Sequence, residues 1–533
     1  MRINGLIFGG MINSDEPSRP SDMHGINFSS VRRHAGSHRI ASFLRQNGID
    51  VEVIDFAPSW TFEEFKELIK SRVNANTKFV GLGAIFNMNT ETLYYSFTWL
   101  KQTYPDILIV TGSTEFHNVH LIPADYMVVG YGELAILEIL KGTAKYKEEV
   151  IDKEGNKRRT VHALHDYPAY PMRNLSIDYE KRDFLQPFEA VTMETSRGCR
   201  FKCSFCTYPI LGVKDDHTRC TEDFHDNLMR NYDSYGIHRY SIADETFNDH
   251  SEKIIKYADV VEKLPFKPNF GGYIRADLLH TRPQDIEHLA RMQFNGQFYG
   301  VESFHRPSAS AAGKGMDPAK IQQAILDTKD YIMKHNGYYS GTISLIAGLP
   351  YETEETLNET KKWCDEHWKT NHLSFAPLFI TSTHNNVKQS TLSSSYEKQG
   401  YSLVETDEIM LDESHPDLKR IFQSNNVVPE LKYYIKSFMR NCAPTILLYH
   451  WKSNTGMTER DAILWIANNV WGKEDYMDFG VDHWRMDEWY VYGKDDKDML
   501  GSYRDLGGVR PPLQSKIDFI EDYKKKKLNY VST

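Results

Sequence analysis

Two stretches of this chain, residues 1–140 and 187–380, alternate short apolar runs with segments whose apolar positions recur at helical spacing, and no other feature constrains the fold as tightly. A strand buried on both faces reads as a continuous apolar run, so this repetition predicts parallel sheets covered by helices, an α/β fold. In the first stretch the runs are Gly5–Phe8, Val51–Phe56, Phe79–Ile85, Ile107–Val110 and Tyr126–Val129, with helical spacing over Ser37–Gln46, Phe62–Arg72 and Thr90–Tyr104. They predict an N-terminal doubly wound parallel sheet over residues 1–140. Residues 141–186 are charged and carry Pro168 and Pro171, the pattern of a linker or hairpin. The second stretch predicts six strands, at Ala190–Glu194, Arg239–Ala243, Asn269–Ile274, Gly296–Val301, Gly341–Ala347 and Leu373–Leu378. The clearest helix between them starts at Asp317-Pro318, an N-cap followed by proline at the first helical position, and stops at Asn336-Gly337. Six such units over 187–380 predict a partial (β/α)6 barrel, with chemistry at the carboxyl ends of the strands. Residues 381–533 lose the alternation, carry Trp451, Trp465, Trp471, Trp484 and Trp489, and read as a mostly helical C-terminal region covering the barrel mouth. Within it Lys524–Lys527 reads as a solvated tail.

Length and composition agree with this layout. A single core rarely grows past about 250–300 residues, and this chain has 533. No apolar run approaches the roughly 18 residues a membrane span needs, and the first ten residues meet polar ones too early for a signal peptide. The expectation is a cytoplasmic protein that does not enter membranes. With 63 Lys+Arg against 73 Asp+Glu the formal charge is −10, which disfavours an extended nucleic-acid surface. Six cysteines are too few to staple such a chain, and cytosolic thiols are normally reduced.

Three of the six, Cys199, Cys203 and Cys206, lie within eight residues, directly after the first barrel strand. Thiols crowded in this way point to metal. Three thiolates on one loop can each hold one iron of a 4Fe-4S cluster and leave the fourth iron open for chemistry. The alternatives are a structural zinc site completed by His217 or Cys220, which lacks the usual second ligand pair, and three unrelated thiols. Cys364 and Cys442 follow apolar residues at helical spacing and read as core, and Cys220 reads as a plain structural thiol.

The segment Cys199-Arg200-Phe201-Lys202-Cys203-Ser204-Phe205-Cys206 resembles the signature of the radical S-adenosylmethionine (SAM) superfamily, C-x3-C-x2-C with an aromatic before the last cysteine. The resemblance continues in order along the barrel. Ile242-Ala243-Asp244-Glu245-Thr246-Phe247 is similar to the family's acidic motif after the second strand, and Tyr273-Ile274-Arg275-Ala276-Asp277 to its arginine after the third. Tyr299-Gly300-Val301-Glu302-Ser303 with Lys314, and Ala347-Gly348-Leu349-Pro350-Tyr351-Glu352-Thr353, are similar to its later motifs. Residues 3–140 resemble the cobalamin-binding-type Rossmann domain that precedes many such barrels, on Gly36-Ser37-His38-Arg39-Ile40-Ala41, Gly48–Asp55, Gly81-Leu82-Gly83, Val110-Thr111-Gly112 and Val129-Gly130-Tyr131-Gly132-Glu133. The Asp-x-His-x-x-Gly of that domain is absent, since Asp22-Met23-His24-Gly25 places its glycine two residues early. The departure speaks against a histidine-ligated cobalamin and leaves cobalamin held in another way open; His24 itself reads as a loop, capping or substrate-facing residue.

What the resemblance implies is an enzyme whose 4Fe-4S cluster, on Cys199, Cys203 and Cys206, chelates SAM through its amino and carboxylate groups and cleaves it to methionine and a 5′-deoxyadenosyl radical. The cofactor carries the hard step, and the protein supplies orientation and shelter. Phe205 is expected near the adenine, Arg275 at the SAM carboxylate, Glu302 at the ribose hydroxyls, and Asp244 at the SAM amino group or in the substrate pocket. The plain reading of each of these four is a strand-end residue that caps or pairs locally. The expected partners are an electron donor such as flavodoxin or ferredoxin and a small-molecule or nucleotide-like substrate. Direct use of the radical, in a rearrangement (isomerase-like), cyclisation or oxidation, is the first expectation. A cobalamin-dependent methyltransferase is the second, and a metal-stabilised protein without turnover the third.

Overall fold

The computed structural model describes residues 3–11, 33–85, 90–113, 122–380, 390–405, 449–470 and 516–530, with short breaks inside them at 147, 152–156, 164–166, 168–175, 188, 207–216, 338, 369–371, 379 and 454–456. The N-terminal sheet is built from β1 (Gly5–Met11), β2 (Val51–Ile54), β3 (Phe79–Ile85), β4 (Leu108–Ser113), β5 (Tyr126–Val129), β6 (Glu148–Ile151) and β7 (Lys157–His162). Its strand order is β2-β1-β3-β4-β5-β7-β6, parallel except for β6. The helices α1 (Ala35–Gln46), α2 (Phe62–Arg72), α3 (Thr90–Thr103) and α4 (Glu133–Lys141) connect these strands. The first five follow the 2-1-3-4-5 order of a common doubly wound fold, whose ligand crevice opens at the carboxyl ends of β1 and β3, where the winding reverses. Apolar side chains on both faces explain the unbroken runs in the sequence, and they form two separate clusters, one on each side of the sheet.

The sheet extends past residue 140. Within 141–186, where a linker or hairpin was expected, β6 and β7 form a hairpin whose second strand pairs with β5, Tyr126 opposite Arg159. The charges that make this segment look like a linker pair across the hairpin, Glu149 Oε2 with Arg159 Nε at 3.1 Å, and give the sheet a charged edge of the kind that discourages further pairing.

The second sheet contains β8 (Ala190–Met193), β11 (Arg239–Ile242), β12 (Asn269–Ile274), β13 (Phe294–Glu302), β14 (Ser340–Ala347) and β15 (His372–Pro377), in sequential order and parallel throughout. Two-residue strands β9 (Ser196–Arg197) and β10 (His217–Thr218) pair beside it. The connecting helices are α5 (Thr221–Tyr235), α6 (Ser251–Val261), α7 (Ala276–Thr281), α8 (Asp285–Arg291), α9 (Arg306–Ala311), α10 (Pro318–Asn336) and α11 (Glu354–His367). This is the six-unit partial barrel expected from the alternation. Helix α10 starts and stops where its caps predict: Asp317 accepts from the Ala319 amide at 3.0 Å, and Gly337 takes a left-handed φ of 72°.

Of residues 381–533 the described part comprises an antiparallel pair, β16 (Tyr401–Glu405) with β17 (Tyr449–Ser453), and the helices α12 (Glu459–Asn469) and α13 (Lys516–Asn529). The strand pair is an addition to the helical reading of this region; Trp471, Trp484, Trp489 and Cys442 lie outside the described residues. Helix α12 joins the barrel core through Trp465, 5.2 Å from the Phe375 ring. Helix α13 joins the N-terminal core through Phe519, Ile520 and Tyr523. The lysine run is therefore not a solvated tail. Lys527 Nζ is buried 3.1 Å from Glu52 Oε1, and Lys524 Nζ is buried 2.8 Å from Glu64 Oε2. A three-residue spacing brings charges at 524 and 527 to one helix face, and composition alone does not reveal that carboxylates await them. Among the described residues no helix is long and apolar enough to cross a membrane.

Candidate active site

The loop that carries Cys199, Cys203 and Cys206 leaves β8 at the carboxyl edge of the barrel, and its three thiols are half-exposed. Its first turn is anchored from the neighbouring strand. Asp244, directly after β11, is fully buried and accepts from the Thr195 and Ser196 amides at 2.7 and 3.0 Å and from their hydroxyls at 2.5 and 2.6 Å. Lys253 of α6 completes the anchor, with Nζ 3.0 Å from Ser196 Oγ, 3.4 Å from Asp244 Oδ2 and 2.6 Å from Asp249 Oδ1. Charge-assisted bonds of this kind are strong when buried. The structure thus places Asp244 beneath the loop as a positioning residue, with both oxygens engaged.

The other end of the loop is held from α9 and from the C-terminal region. The Ser204 amide donates to the Ala312 carbonyl at 3.2 Å and its hydroxyl to the Ala311 carbonyl at 2.6 Å, while the Leu392 amide donates to the Ser204 carbonyl at 2.8 Å. Gly313, with φ of 85°, passes so close that a Cβ there would lie 3.3 Å from both Cys203 Cα and the Lys202 carbonyl oxygen.

These residues fit an iron-sulfur cluster better than a single ion. Among the described residues no three His, Cys, Asp or Glu groups converge on one metal ion; Cys220 is the N-cap residue of α5. A cluster assigns each thiolate to a different iron and spreads them further apart. Polar groups already meet two of the sulfurs: Thr246 Oγ1 is 3.8 Å from Cys199 Sγ, and Arg275 Nη1 donates to Cys203 Sγ at 3.5 Å. Burial pushes the Cys199 thiol up from its ordinary value, as expected of a sulfur enclosed before an ion binds.

Around the loop the structure brings together the other expected residues. Arg275 forms a two-point pair with Asp277, at 3.0 and 2.6 Å, and its guanidinium lies 4.0 Å from the centre of the Phe201 ring. Glu302 ends β13 with φ of 69°, a strained backbone for a residue with a side chain, and pairs through Oε1 with Lys314 Nζ at 2.9 Å. Phe205 is half-buried against the barrel core. Glu352 caps the turn after β14, accepting from the Gly348 amide at 2.8 Å and from the Ser303 hydroxyl at 2.9 Å, and burial pushes its carboxyl up to about 8. His24 lies outside the described residues, and Cys364 is core, as its spacing predicts.

Two residues that the sequence reasoning did not single out complete the picture. Glu245 follows Asp244, and its Oε2 is buried with no hydrogen-bond partner among the described residues, while burial, reinforced by Asp244 and Glu194, pushes its carboxyl up to about 7. Glu133, at the first turn of α4, sits 2.5 Å from Arg197 Nη2 and 3.1 Å from Arg39 Nε. Burial alone would raise the Glu133 carboxyl, but the two guanidiniums outweigh it and hold it well below the usual range. Tyr131 lies beside Glu133 on the same loop, its ring 4.2 Å from the Arg197 guanidinium and its hydroxyl 3.5 Å from Glu245 Oε1. The carboxyl edge of the N-terminal sheet therefore faces the cysteine loop. The adjacency of Gly130-Tyr131-Gly132-Glu133 to a strand end was legible; its partner across the domain boundary was not.

In the described part of the N-terminal crevice, side chains of α1 occupy the ground between β1 and β3. A Cβ on Gly83 would come 2.7 Å from His34 Cε1, and one on Gly9 would come 2.5 Å from Ser37 Oγ. His34 Nδ1 accepts from the Ser37 amide at 3.2 Å, which leaves the proton on Nε2, and burial lowers the ring to about 4, so it is neutral. The ring's one lone pair, on Nδ1, is engaged by the Ser37 amide at the first turn of α1. At the opposite end of the barrel a cleft of about 900 Å³ opens among residues that precede the strands, such as His238, Lys267 and Gln293, and holds none of the site residues.

Comparison with known proteins defines the class. The family model for the Radical SAM superfamily matches residues 193–364. Curated relatives include an uncharacterized methyltransferase of Pyrococcus horikoshii, 24% identical over 349 residues, which span 61% of this chain and 71% of that protein. A putative methylthiotransferase of Methanocaldococcus jannaschii is 25% identical over 273 residues, 49% of this chain and 54% of the other. Among solved structures, the radical SAM methyltransferase TsrM from Kitasatospora setae, with tryptophan substrate and a SAM analogue bound, has a TM-score of 0.61 at 14% identity, covering 98% of this chain and 99% of that one. The cobalamin-dependent radical enzyme OxsB, with aqua-cobalamin bound, has a TM-score of 0.50 at 18% identity and covers 74% of this chain and 55% of that one. At such identities the structural likeness speaks for the fold. Residues 193–364 are a radical SAM domain. A Rossmann-like sheet stands in front of this radical SAM domain, and the cofactors such a domain implies are a 4Fe-4S cluster and SAM.

Proposed function

We propose that this chain cleaves SAM reductively at a cluster on Cys199, Cys203 and Cys206 and directs the resulting radical at a substrate held between the barrel mouth and the carboxyl edge of the Rossmann-like sheet. The observation that carries this reading is the fixation of the cysteine loop on three sides, by Asp244, by Ala311–Gly313 and by Glu133. A cluster held by the three thiolates would supply the one electron that reductive cleavage of SAM needs. The protein's own residues orient and enclose. Arg275, already aligned by Asp277, would take the SAM carboxylate; Phe205 would flank the adenine; Glu302, with Oε1 held by Lys314, would accept from the ribose hydroxyls through its other oxygen. Because Asp244 is engaged beneath the loop, the open acid of that motif is Glu245, whose free oxygen accepts from an amine or hydroxyl in the gap. Closing such a gap keeps water away from a reactive species.

Methyl transfer is the second reading. It is supported by the Glu133–Arg197 contact, which sets the Rossmann-like edge against the cysteine loop, and by the methyltransferase names of the relatives. The electron donor and a small-molecule or nucleotide-like substrate remain the proposed partners. Anaerobic incubation of reconstituted protein with SAM, reductant and cell extract tests both readings. 5′-Deoxyadenosine that disappears in Cys203→Ala supports cleavage, and its absence in the parent protein overturns it. S-adenosylhomocysteine formed alongside, with cobalamin retained through purification, selects methyl transfer; deoxyadenosine alone selects direct use of the radical.

A further inference from the structure

Among the described residues the cysteine loop has one open side. Asp244 and Lys253 lie beneath it, Ala311–Gly313 and Leu392 hold its far end, and Glu133 grips its start. What is left is the ridge Arg200-Phe201-Lys202, between the first two cysteines, where Arg200 and Lys202 are both exposed. Arg200 Nη1 leans toward the Asp249 carbonyl at 3.4 Å and lies 3.3 Å from His250 Nε2. Arg282 reaches the same corner, with Nη2 2.5 Å from the Asn248 carbonyl. The neighbouring carboxylates are committed elsewhere: Asp249 to Lys253 at 2.6 Å, Asp277 to Arg275 at 2.6 Å and Asp285 to Arg282 at 3.0 Å. Neither Arg200 nor Lys202 has an ion-pair partner among the described residues, so the ridge presents two uncompensated positive charges. Phe201 lies between them, its ring 5.4 Å from the Arg200 guanidinium and 4.0 Å from that of Arg275.

We infer that this ridge is the docking surface for the protein that reduces the cluster, and that this partner is a small acidic one-electron carrier. The inference rests on the proposed cleavage of SAM, which draws one electron per event. The carrier loses that electron and the cluster gains it, with no group or proton transferred. The charge pattern selects the partner. A chain of net charge −10 repels an acidic protein over most of its surface and attracts it where two unpaired cations stand out. The ridge lies between two of the cluster ligands, so an encounter favoured by its charges also brings the donor close to the cluster. A nucleic acid or an anionic membrane would meet the same two charges with none of the extended basic surface those partners need.

The test uses the full, reconstituted chain, with deoxyadenosine formation measured against the concentration of a reduced flavodoxin and, separately, with dithionite, which needs no docking. The double variant Arg200→Glu, Lys202→Glu should need about tenfold more flavodoxin for half-maximal rate at low salt and lose most of the parent's salt dependence, with the dithionite rate and iron content unchanged. Equal flavodoxin dependence in parent and variant overturns the inference. Calorimetric titration with oxidised flavodoxin gives a readout independent of turnover: affinity lost on charge reversal supports docking here, and unchanged affinity refutes it even if the rate falls. If neither reductant yields deoxyadenosine in the parent, the proposed cleavage fails, and the calorimetric result still decides the docking.

Discussion

Glu133 Oε1, on the Rossmann-like domain, lies 2.5 Å from Nη2 of Arg197, two residues ahead of the first cysteine of the barrel. The two domains are thus joined at the start of the loop that holds the cluster. Removing one member of a buried pair costs about 3–5 kcal/mol, because the other charge is left without compensation. Glu133→Ala should therefore lower iron incorporation and make proteolysis near residue 197 faster, while Glu133→Gln, which keeps a hydrogen-bond acceptor, should fall between it and the parent. Iron per chain and limited proteolysis measure both.

Asp244 supports the same loop from below with four hydrogen bonds from Thr195 and Ser196. Asp244→Asn cannot accept from all four and leaves Lys253 less compensated. We expect loss of the cluster absorbance after reconstitution, with the far-ultraviolet circular dichroism of the barrel retained. If Asp244 instead only contacts SAM, the cluster would form normally and SAM affinity alone would drop.

Two glycines separate backbone strain from crowding. Gly313 and Gly337 both have positive φ, 85° and 72°, but a Cβ on Gly313 meets the Cys203 backbone at 3.3 Å and one on Gly337 meets nothing within 4 Å. Gly337→Ala should cost about 1 kcal/mol in denaturant unfolding and leave iron content alone. Gly313→Ala should displace the cysteine loop and reduce iron content several-fold. Equal iron content in the two variants would count against the packing described here.

Glu352 predicts a pH dependence. Its carboxyl is pushed up to about 8 in the folded protein, from an ordinary value near 4.5. The folded chain therefore holds a proton that the unfolded chain releases, and the stabilisation is complete below the unfolded value and is lost as pH rises toward 8. The slope is about 1.4 kcal/mol per pH unit within that window. Glu352→Gln stays neutral throughout, so chemical denaturation should show it overtaking the parent at alkaline pH; parallel curves would sink the assignment.

The barrel was legible because parallel strands buried on both faces leave unbroken apolar runs, and because Asp317-Pro318 and Asn336-Gly337 carry their capping chemistry in the sequence. The cysteines were legible by spacing. For Asp244 the sequence carried only the plain reading of a strand-end residue that pairs locally; its particular partners, the amides and hydroxyls of Thr195 and Ser196, are exposed by no spacing rule. Glu133 and Glu245 escaped for a related reason: each acquires its setting from a residue more than 60 positions away, at Arg197 and Tyr131. The lysine run misled because burial of a charge depends on a partner elsewhere in the chain, here Glu52.

That last contact joins residues 475 positions apart. Glu52 is fully buried, and its other oxygen is held by Arg72, whose own Nη2 reaches back to the Lys527 carbonyl at 2.6 Å. Domains commonly fold in the order in which the ribosome delivers them. Here the sheet that precedes the barrel lacks the lysine of one buried ion pair until helix α13, which follows the barrel, leaves the exit tunnel, so a domain made before the barrel is completed after it.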